Sequence, residues 1–287
     1  MITTAHELRR SVAPILASLA IVPGTVAAQA RDTTATAHRP PVVTWLDAGT
    51  IGLGLAGSIA LMPLDNRIAR RLQEDRYQGR KSYQDLSDIA DAINEKSLFA
   101  AGIVTYGIAK LVGAPRTTTD IAWHTTESIF VASATATVIR GVLGRSRPFV
   151  TLDTLTGRRD PYDYKPGKGF SQLAYRAYPS IHAASSFATA AAITAETAHH
   201  SRRWAYVVGP VSYSIAALPG LARMYNDKHW ASDVAMGAAL GAVSGWATVR
   251  YHHHRPGNKL DRTFIGRIPT PTVTADGQPG LAWSLTF

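Results

Sequence analysis

Apolar and small residues recur at helical spacing in six segments of the chain, and this pattern predicts six helices. The segments cover residues 43–63, 84–112, 117–145, 180–200, 203–221 and 229–250. Strand-like alternation is found only in the C-terminal tail, where it surrounds a turn signal at Asp276-Gly277. We therefore expect an all-α domain over residues 42–255, a bundle of about six core helices, followed by a tail, residues 256–287, with a short β-hairpin.

The first thirty residues have the pattern of a secretory signal peptide. A short basic segment that ends in Arg9 and Arg10 precedes an apolar stretch, and Ala28 and Ala30 supply the small residues of a cleavage site. A membrane anchor is the alternative, which two prolines and the small-residue end disfavour. Residues 31–41 form a polar linker. We expect an exported protein on the periplasmic side.

The helical segments leave open whether the domain lies in a membrane. Among the six helical segments, only the fifth lies in an uncharged run, residues 204–222, that exceeds eighteen residues without a break, because charged residues or Pro179 interrupt the others. Ala, Gly, Ser and Thr predominate, a composition that suits close helix packing in water or in lipid. Span length alone favours a soluble or peripheral protein, and association with the inner membrane is the alternative.

Residues 149–178 connect the third and fourth predicted helices and are rich in Gly, Pro, Asp and Tyr. A connection of this length in a compact domain is usually functional or mobile. The sequence does not indicate the role of this segment, nor that of the C-terminal tail.

Composition narrows the classes of partner. The chain has 287 residues, of which 46% are hydrophobic, enough for one large core. It has no cysteine, which excludes disulfides and thiolate metal sites. The formal charge of +10 suits a membrane surface or phosphorylated molecules. A nucleic-acid partner is not expected, because no long basic run or aromatic–basic interleaving is present, and no oligomeric state is indicated.

Two short stretches place charged and imidazole side chains at helical spacing. Arg140 and Arg147 are seven residues apart, two turns along one helix face, and Pro148 ends that helix. His229 and Asp233 are four residues apart, so they lie on one face of a helix. Each pair alone is most often an ordinary helix-surface feature, and the pairs become informative only in combination with a third stretch.

The third stretch, YPSIH, opens an Ala-rich helix. Pro179 is tolerated where no N–H is needed, and Ser180 is a favourable N-cap. Such a helix start has unpaired N–H groups and a partial positive charge, which favour an anion. Arginines from elsewhere would complete a phosphate-sized site, because their planar forks donate two parallel hydrogen bonds. His182 and His229 then supply a proton donor and a nucleophile, and Asp233 holds one ring nitrogen of His229.

Together the three stretches resemble the motif of the type 2 phosphatidic acid phosphatase superfamily, which includes bacterial non-specific acid phosphatases and vanadium haloperoxidases. The family motif is K-x₆-R-P, P-S-G-H and S-R-x₅-H-x₃-D. Here it reads Arg140-x₆-Arg147-Pro148, Pro179-Ser180-Ile181-His182 and Ala222-Arg223-x₅-His229-x₃-Asp233, with every spacing kept. The resemblance covers roughly residues 90–250.

Three positions depart from the family motif. Arg140 keeps the cation of the usual Lys, and Ala222 lacks the hydroxyl of the usual Ser. Ile181 keeps the backbone N–H of the usual Gly, and we expect its side chain to narrow the pocket. None of these changes removes a group that does the chemistry.

The resemblance implies a metal-independent phosphatase acting on lipid phosphates or on small phosphomonoesters and diphosphates. His229 would attack phosphorus to form a phosphohistidine, Asp233 would orient it, and His182 would protonate the leaving oxygen. The phosphate oxygens would be held by Arg140, Arg147, Ser180, Ile181 and Arg223. No metal or other cofactor is expected, because arginines replace the ions of other phosphoryl-transfer sites.

Two other functions use the same residues. In a vanadate-dependent haloperoxidase, vanadate would be the cofactor and His229 its axial ligand, although the chain is compact for that class; in a phosphatase, vanadate would inhibit. A non-catalytic binder of phosphate or phospholipid is the third class. Binding alone needs only the arginines, so the presence of His182, His229 and Asp233 together disfavours it.

The remaining histidines are interpreted as structural. The run at 252–254 follows the last predicted helix and is expected to be a solvated basic end. His199 and His200 lie at a helix C-terminus, where cations are favourable. His124 is expected to pair with Glu127 on its own helix.

Overall fold

The computed structural model describes residues 40–258, 270–273 and 279–282, which consist of helices, the segments that connect them and one small hairpin. The predicted all-α class is confirmed. The helices are α1 (Trp45–Leu72), α2 (Asp75–Gln78), α3 (Lys81–Ala92), α4 (Glu95–Leu111), α5 (Arg116–Leu143), α6 (Lys168–Ser171), α7 (Ile181–His200), α8 (Arg202–Tyr225) and α9 (Ala231–His254). Two 3₁₀ turns, Pro148–Thr151 and Leu173–Tyr175, lie between α5 and α7. The predicted signal peptide and most of the predicted linker lie outside the described residues.

The first helix is longer than predicted. It continues past Pro63 to its end at Leu72, although a proline inside a helix removes one backbone hydrogen bond. Beyond the proline, the buried carboxylate of Asp65 accepts a hydrogen bond from the backbone N–H of Ser232 at 3.0 Å. This contact holds the last part of α1 against the start of α9.

The predicted helix over residues 84–112 is two helices, α3 and α4. The break occurs at Asn94, whose side-chain oxygen accepts hydrogen bonds from the backbone N–H groups of Lys96 at 3.0 Å and Ser97 at 3.2 Å. These bonds satisfy two of the donors that a helix start leaves unpaired, so a new helix begins there.

A stripe of glycines sets the distance between α7 and α9 at the centre of the bundle. Gly237, Gly241 and Gly245 are four residues apart, so they lie on one face of α9. A Cβ added to Gly241 would lie 2.2 Å from the carbonyl oxygen of Ala184, and one added to Gly237 would lie 2.4 Å from that of Ser180. The two helices therefore pack backbone against backbone, as small residues allow.

Bulky apolar side chains lie largely on the outside of the bundle, while small and polar side chains fill its interior. The cluster between α5, α7 and α9 consists of four alanines with Ile181 and Leu240. By contrast, Leu53 on α1 is 77% exposed, and Val104 on α4 and Val207 on α8 are also exposed. Extended exposed apolar surface of this kind marks contact with a membrane or a partner.

Two of the described helices, α1 and α8, are long and apolar enough to cross a membrane. Of the most apolar 18 residues in each helix, 11% are buried in α1 and 28% in α8. Core helices of water-soluble proteins pass the same length test but are mostly buried, so the exposure of these two helices agrees with membrane association.

The tail contains the predicted β-hairpin. Strands β1 (Thr270–Val273) and β2 (Pro279–Ala282) pair antiparallel, with Thr270 opposite Ala282 and Val273 opposite Pro279. The residues that join the strands lie outside the described part of the chain. The hairpin prediction is confirmed at the level of strand pairing.

The contact between α7 and α9 predicts the effect of one added methyl group. Gly241→Ala is expected to lower the free energy of unfolding by about 1–3 kcal/mol, the usual cost of overpacking, because its Cβ forces the Ala184 carbonyl away. Gly52→Ala is the matched control, since Gly52 is inside α1 and no atom lies within 4 Å of an added Cβ. Thermal unfolding of the purified full-length protein, followed by circular dichroism, measures both. Equal unfolding midpoints for the two variants would contradict this packing.

Candidate active site

The motif residues come together at one end of the bundle. Arg140 lies in the last turn of α5, and Arg223 lies in the last turn of α8. His182 is the second residue of α7, and Asp233 lies in the first turn of α9. His229 lies in the connection between α8 and α9, with its ring centroid 6.4 Å from that of His182. Four helix ends thus place the two predicted reacting imidazoles near each other.

The start of α7 has the predicted cap. The Oγ of Ser180 accepts a hydrogen bond from the backbone N–H of Ala183 at 3.5 Å, and the backbone N–H of Ser180 donates to the carbonyl of Asp233 at 3.0 Å. Ile181 is the first helical residue, so its N–H belongs to the unpaired donors of the helix start. Its side chain packs in the core cluster, so the expectation that it narrows the pocket is wrong.

Three arginines surround this helix start. The Nε atoms of Arg140, Arg147 and Arg223 are buried and have no hydrogen-bond partner among the described residues. Burial, together with the charges of Arg223 and Arg140, lowers the pKa of Arg147 to about 10. Buried like charges are costly unless an opposite charge compensates them. The three guanidinium groups are therefore suited to hold an oxyanion, which they can bind through paired hydrogen bonds.

His229 is held as a neutral imidazole with one nitrogen available. Its Nδ1 lies 3.4 Å from Oδ2 of Asp233, which also accepts a hydrogen bond from the backbone N–H of Trp230 at 2.8 Å. Burial, followed by the charges of the three arginines, lowers the pKa of His229 well below its usual value. Its Nε2 is buried without a hydrogen-bond partner in the described part of the chain. With Asp233 at Nδ1, the lone pair resides on Nε2.

Arg145, which the sequence patterns did not single out, fixes the position of Asp233. Its side chain is fully buried, and its Nη1 donates to Oδ1 of Asp233 at 2.6 Å and to Oγ of Ser232 at 2.7 Å. Its Nη2 donates to Oδ2 of Asp65 at 2.8 Å. Its position inside the first motif did not predict this role, because no sequence spacing relates Arg145 to Asp65 on α1.

Two carboxylates at the junction of α3 and α4 reach the same end of the bundle. Asp91 accepts hydrogen bonds from Nη1 of Arg223 at 2.9 Å and from Nζ of Lys228 at 3.1 Å. Oε2 of Glu95 lies 3.9 Å from Nδ1 of His182, beyond hydrogen-bond distance. The sequence analysis missed both carboxylates. The break between α3 and α4 was the only signal that could have found them, since it places both at helix ends.

Residues 149–178, the long segment before α7, form hydrogen bonds with the stretch that contains Arg147 and with the loop before His229. The backbone N–H of Arg147 donates to the carbonyl of Ala174 at 2.9 Å. Nη2 of Arg159 donates to Oδ2 of Asp227 at 3.0 Å, two residues before His229. Asp227 has a positive φ of 54°, an uncommon conformation for an aspartate. The segment therefore connects the loop that carries Arg147 with the loop that carries His229.

The chain is similar to known proteins in the part that carries the motifs. Residues 121–256 match the PAP2 superfamily. Over 72 residues the chain is 42% identical to Lipid A 1-phosphatase of Porphyromonas gingivalis, a match that covers 25% of this chain and 15% of that protein. A solved structure, the transmembrane PAP2 type phosphatidylglycerolphosphate phosphatase from Bacillus subtilis, aligns with a TM-score of 0.40 and 15% identity over 72% of this chain and 100% of that one.

The segment that matches the family contains every motif residue of the site, from Arg140 to Asp233. The match to the PAP2 superfamily thus spans the whole candidate site. The resemblance drawn from the three motif stretches is confirmed.

The network around Arg145 predicts a large loss of stability when the cation is removed. Arg145→Gln is expected to lower the free energy of unfolding by about 3–5 kcal/mol, because it leaves the buried carboxylates of Asp65 and Asp233 without their cation. Arg158→Gln, an exposed arginine in the segment before α7, is the control and should change stability by less than about 0.5 kcal/mol. Thermal unfolding measures both variants.

A second substitution tests whether the loss arises from the unpaired charges. Adding Asp65→Asn to Arg145→Gln removes one of the two charges and should recover part of the stability. If Arg145→Gln unfolds at the same temperature as Arg158→Gln, the network does not have the role described.

Proposed function

We propose that the protein is a metal-independent phosphatase that hydrolyses lipid phosphates or related phosphomonoesters and diphosphates through a phosphohistidine intermediate. The observation that carries the proposal is the convergence of two imidazoles with three arginines whose Nε atoms are buried. Nε2 of His229 and the Nε atoms of Arg140, Arg147 and Arg223 are unpaired within the described residues. A single phosphate group can contact all of them, because it offers an electrophilic phosphorus and several acceptor oxygens.

In the first step of the proposed reaction, Nε2 of His229 attacks phosphorus. The bond between phosphorus and the leaving oxygen breaks, and the phosphoryl group remains on His229. His182, in its protonated form, donates a proton to the leaving oxygen. Asp233 stabilises the positive charge that develops on the His229 ring, and Arg145 keeps Asp233 in place for this role.

In the second step, neutral His182 takes a proton from water as the water oxygen attacks phosphorus. The bond between phosphorus and Nε2 of His229 breaks, phosphate is released, and both histidines return to their starting states. The three arginines hold the phosphate oxygens as charge shifts among them in both steps. In the free protein, burial and the charge of Arg223 lower the pKa of His182 to about 3, against the opposing charge of Asp91. A bound phosphate would offset the arginine charges and so favour the protonated ring that the first step requires.

The position of the site favours a lipid phosphate as the substrate class. Residues 48–64 of α1 and 204–222 of α8 carry no charged side chain. At about 1.5 Å per residue these stretches are roughly 26 and 28 Å long, close to the thickness of a bilayer hydrocarbon core of about 30 Å. We infer that these helices cross the inner membrane and that the site opens at headgroup depth on the periplasmic side.

The name of one relative supports the same substrate class. Lipid A 1-phosphatase is similar to this chain over 72 residues, but the chain spans only 15% of that protein's length. The apolar outer surface of the bundle is therefore the stronger reason to expect a substrate that resides in a membrane.

The proposed mechanism predicts that His229→Ala abolishes phosphate release while the protein still folds. The wild type is expected to hydrolyse phosphatidic acid in mixed micelles and p-nitrophenyl phosphate in solution, with rates unchanged by EDTA. His199→Ala is the matched control, since His199 is an exposed residue at the far end of α7, and it should retain full activity. The assay measures released phosphate, and circular dichroism verifies that both variants fold.

Three results would contradict the proposal. Activity of a folded His229→Ala variant above a few per cent of wild type excludes His229 as the nucleophile. Bromide oxidation that depends on added vanadate, without phosphate release, would assign the site to a haloperoxidase. Binding of phosphate without phosphate release or bromide oxidation would indicate a non-catalytic phosphate-binding protein.

Fractionation of expressing cells tests the proposed location. The protein is expected in the membrane fraction after carbonate washing, because the exposed apolar surfaces of α1 and α8 would lie in lipid. Its intact mass should lack residues 1–30. Recovery in osmotic-shock fluid would exclude membrane insertion and would favour soluble phosphate esters as substrates. Recovery in the cytoplasm with Met1 attached would exclude export.

A further inference from the structure

The opposite end of the bundle holds a second cluster of titratable side chains, which the proposed reaction does not use. Its centre is Glu196, a fully buried carboxylate near the end of α7. Oε1 of Glu196 is hydrogen-bonded to Nδ1 of His124 on α5. Both carboxylate oxygens lie 3.1 Å from Nε2 of His253 on α9. Three helices thus each contribute one side chain, and their donor atoms lie within 4.8 Å of one another.

This cluster corrects two interpretations made from the sequence. His124 pairs with Glu196 across the bundle, while Glu127 pairs with Nε2 of His252 at 2.6 Å. The histidine run at 252–254 was expected to be solvated, but His252 is only 5% exposed. Sequence spacing favoured the pairing within one helix because partners on other helices are not visible in it.

The donor atoms and their separations suit a zinc ion. Two imidazole nitrogens and one carboxylate are a common set of protein ligands for Zn²⁺, with bonds of about 2.0–2.2 Å. Tetrahedral geometry with such bonds places ligand atoms roughly 3.3 Å apart, close to the 3.1 Å between His253 and Glu196. A fourth position remains for water, and the carboxylate offsets part of the charge of the ion.

Further histidines surround the three donor side chains and restrict their orientation. The His252 ring stacks on His124 with centroids 3.9 Å apart, and the His199 ring lies 3.6 Å from that of His253. Such outer contacts orient metal-binding imidazoles in many proteins. The side chain of His253 is 22% exposed, which gives an ion a route from solvent.

We propose that His124, Glu196 and His253 form a structural Zn²⁺ site that joins α5, α7 and α9. Glu196 lies 14 residues after His182 on α7, or roughly 21 Å along the helix axis, so the ion would not contact the reacting phosphate. The site would stabilise the end of the bundle opposite the candidate active site. It is compatible with metal-independent catalysis and does not rest on the proposed phosphatase activity.

The test uses the purified full-length protein with a histidine-free affinity tag, stripped of metal by a chelator. Co²⁺ is the spectroscopic probe, and one equivalent is expected to give the visible absorption of a tetrahedral ion that Zn²⁺ then displaces. Zn²⁺ is also expected to raise the thermal unfolding midpoint, because it binds the folded state. Glu196→Gln and His253→Gln should each weaken binding by at least about tenfold. His254→Gln, the neighbouring residue in the same histidine run, is the matched control and should bind like wild type.

Two results would overturn the proposal. If Co²⁺ gives no such absorption and Zn²⁺ leaves the unfolding midpoint unchanged, the cluster is a hydrogen-bonded network of histidines and a carboxylate. If Glu196→Gln and His253→Gln bind as tightly as His254→Gln, the ion binds elsewhere. Should Glu196→Gln fail to fold, His253→Gln decides, because it alters a partly exposed side chain. Absorption and unfolding do not require phosphatase activity, so failure of the proposed function would leave this test intact.

Discussion

The close contact between α7 and α9 is the constraint on which the rest of the structure depends. At Gly237 the two backbones meet beside the carbonyl of Ser180, and the N–H of Ser180 donates to the carbonyl of Asp233. His182 follows Ser180 by two residues, and His229 lies one turn before Asp233. The glycine contact therefore also sets the separation of the two imidazoles, and a wider helix spacing would move His182 and His229 apart.

Arg145 and Arg147, at the candidate active-site end of the bundle, differ in whether a carboxylate of the protein compensates their charge. Arg145 is bonded to the carboxylates of Asp65 and Asp233, so its charge is compensated within the protein and it stabilises the scaffold. Among the described residues Arg147 forms no ion pair with a carboxylate, and burial with neighbouring arginines lowers its pKa. A site that leaves cations uncompensated loses some stability in the free protein. It gains a strong electrostatic preference for an anion, because the attraction acts in a region of low dielectric constant.

The sequence predicted the helical class, the hairpin and the residues that come together at the candidate active site, because helix periodicity and motif spacing are local properties. It did not reveal Arg145 or Asp91, whose roles depend on partners from other helices. It also misjudged His252, since burial is decided by packing rather than by composition. Membrane association was left open for the same reason: span length is visible in the sequence, but the outward orientation of apolar side chains such as Leu53 emerges only in the folded bundle.

The uninterrupted character of α7 has a mechanical consequence. No glycine or proline lies between Ile181 and His200, whereas α8 contains Pro210 and Pro219. Without such residues a helix has no preferred point of bending, so it moves as a stiff rod. A rotation or axial shift imposed at one end of α7 would reach the other end nearly undiminished. The same helix carries Ser180 at one end and Glu196 near the other, so the geometry of the candidate active site and that of the histidine cluster are rigidly linked across the thickness of the bundle.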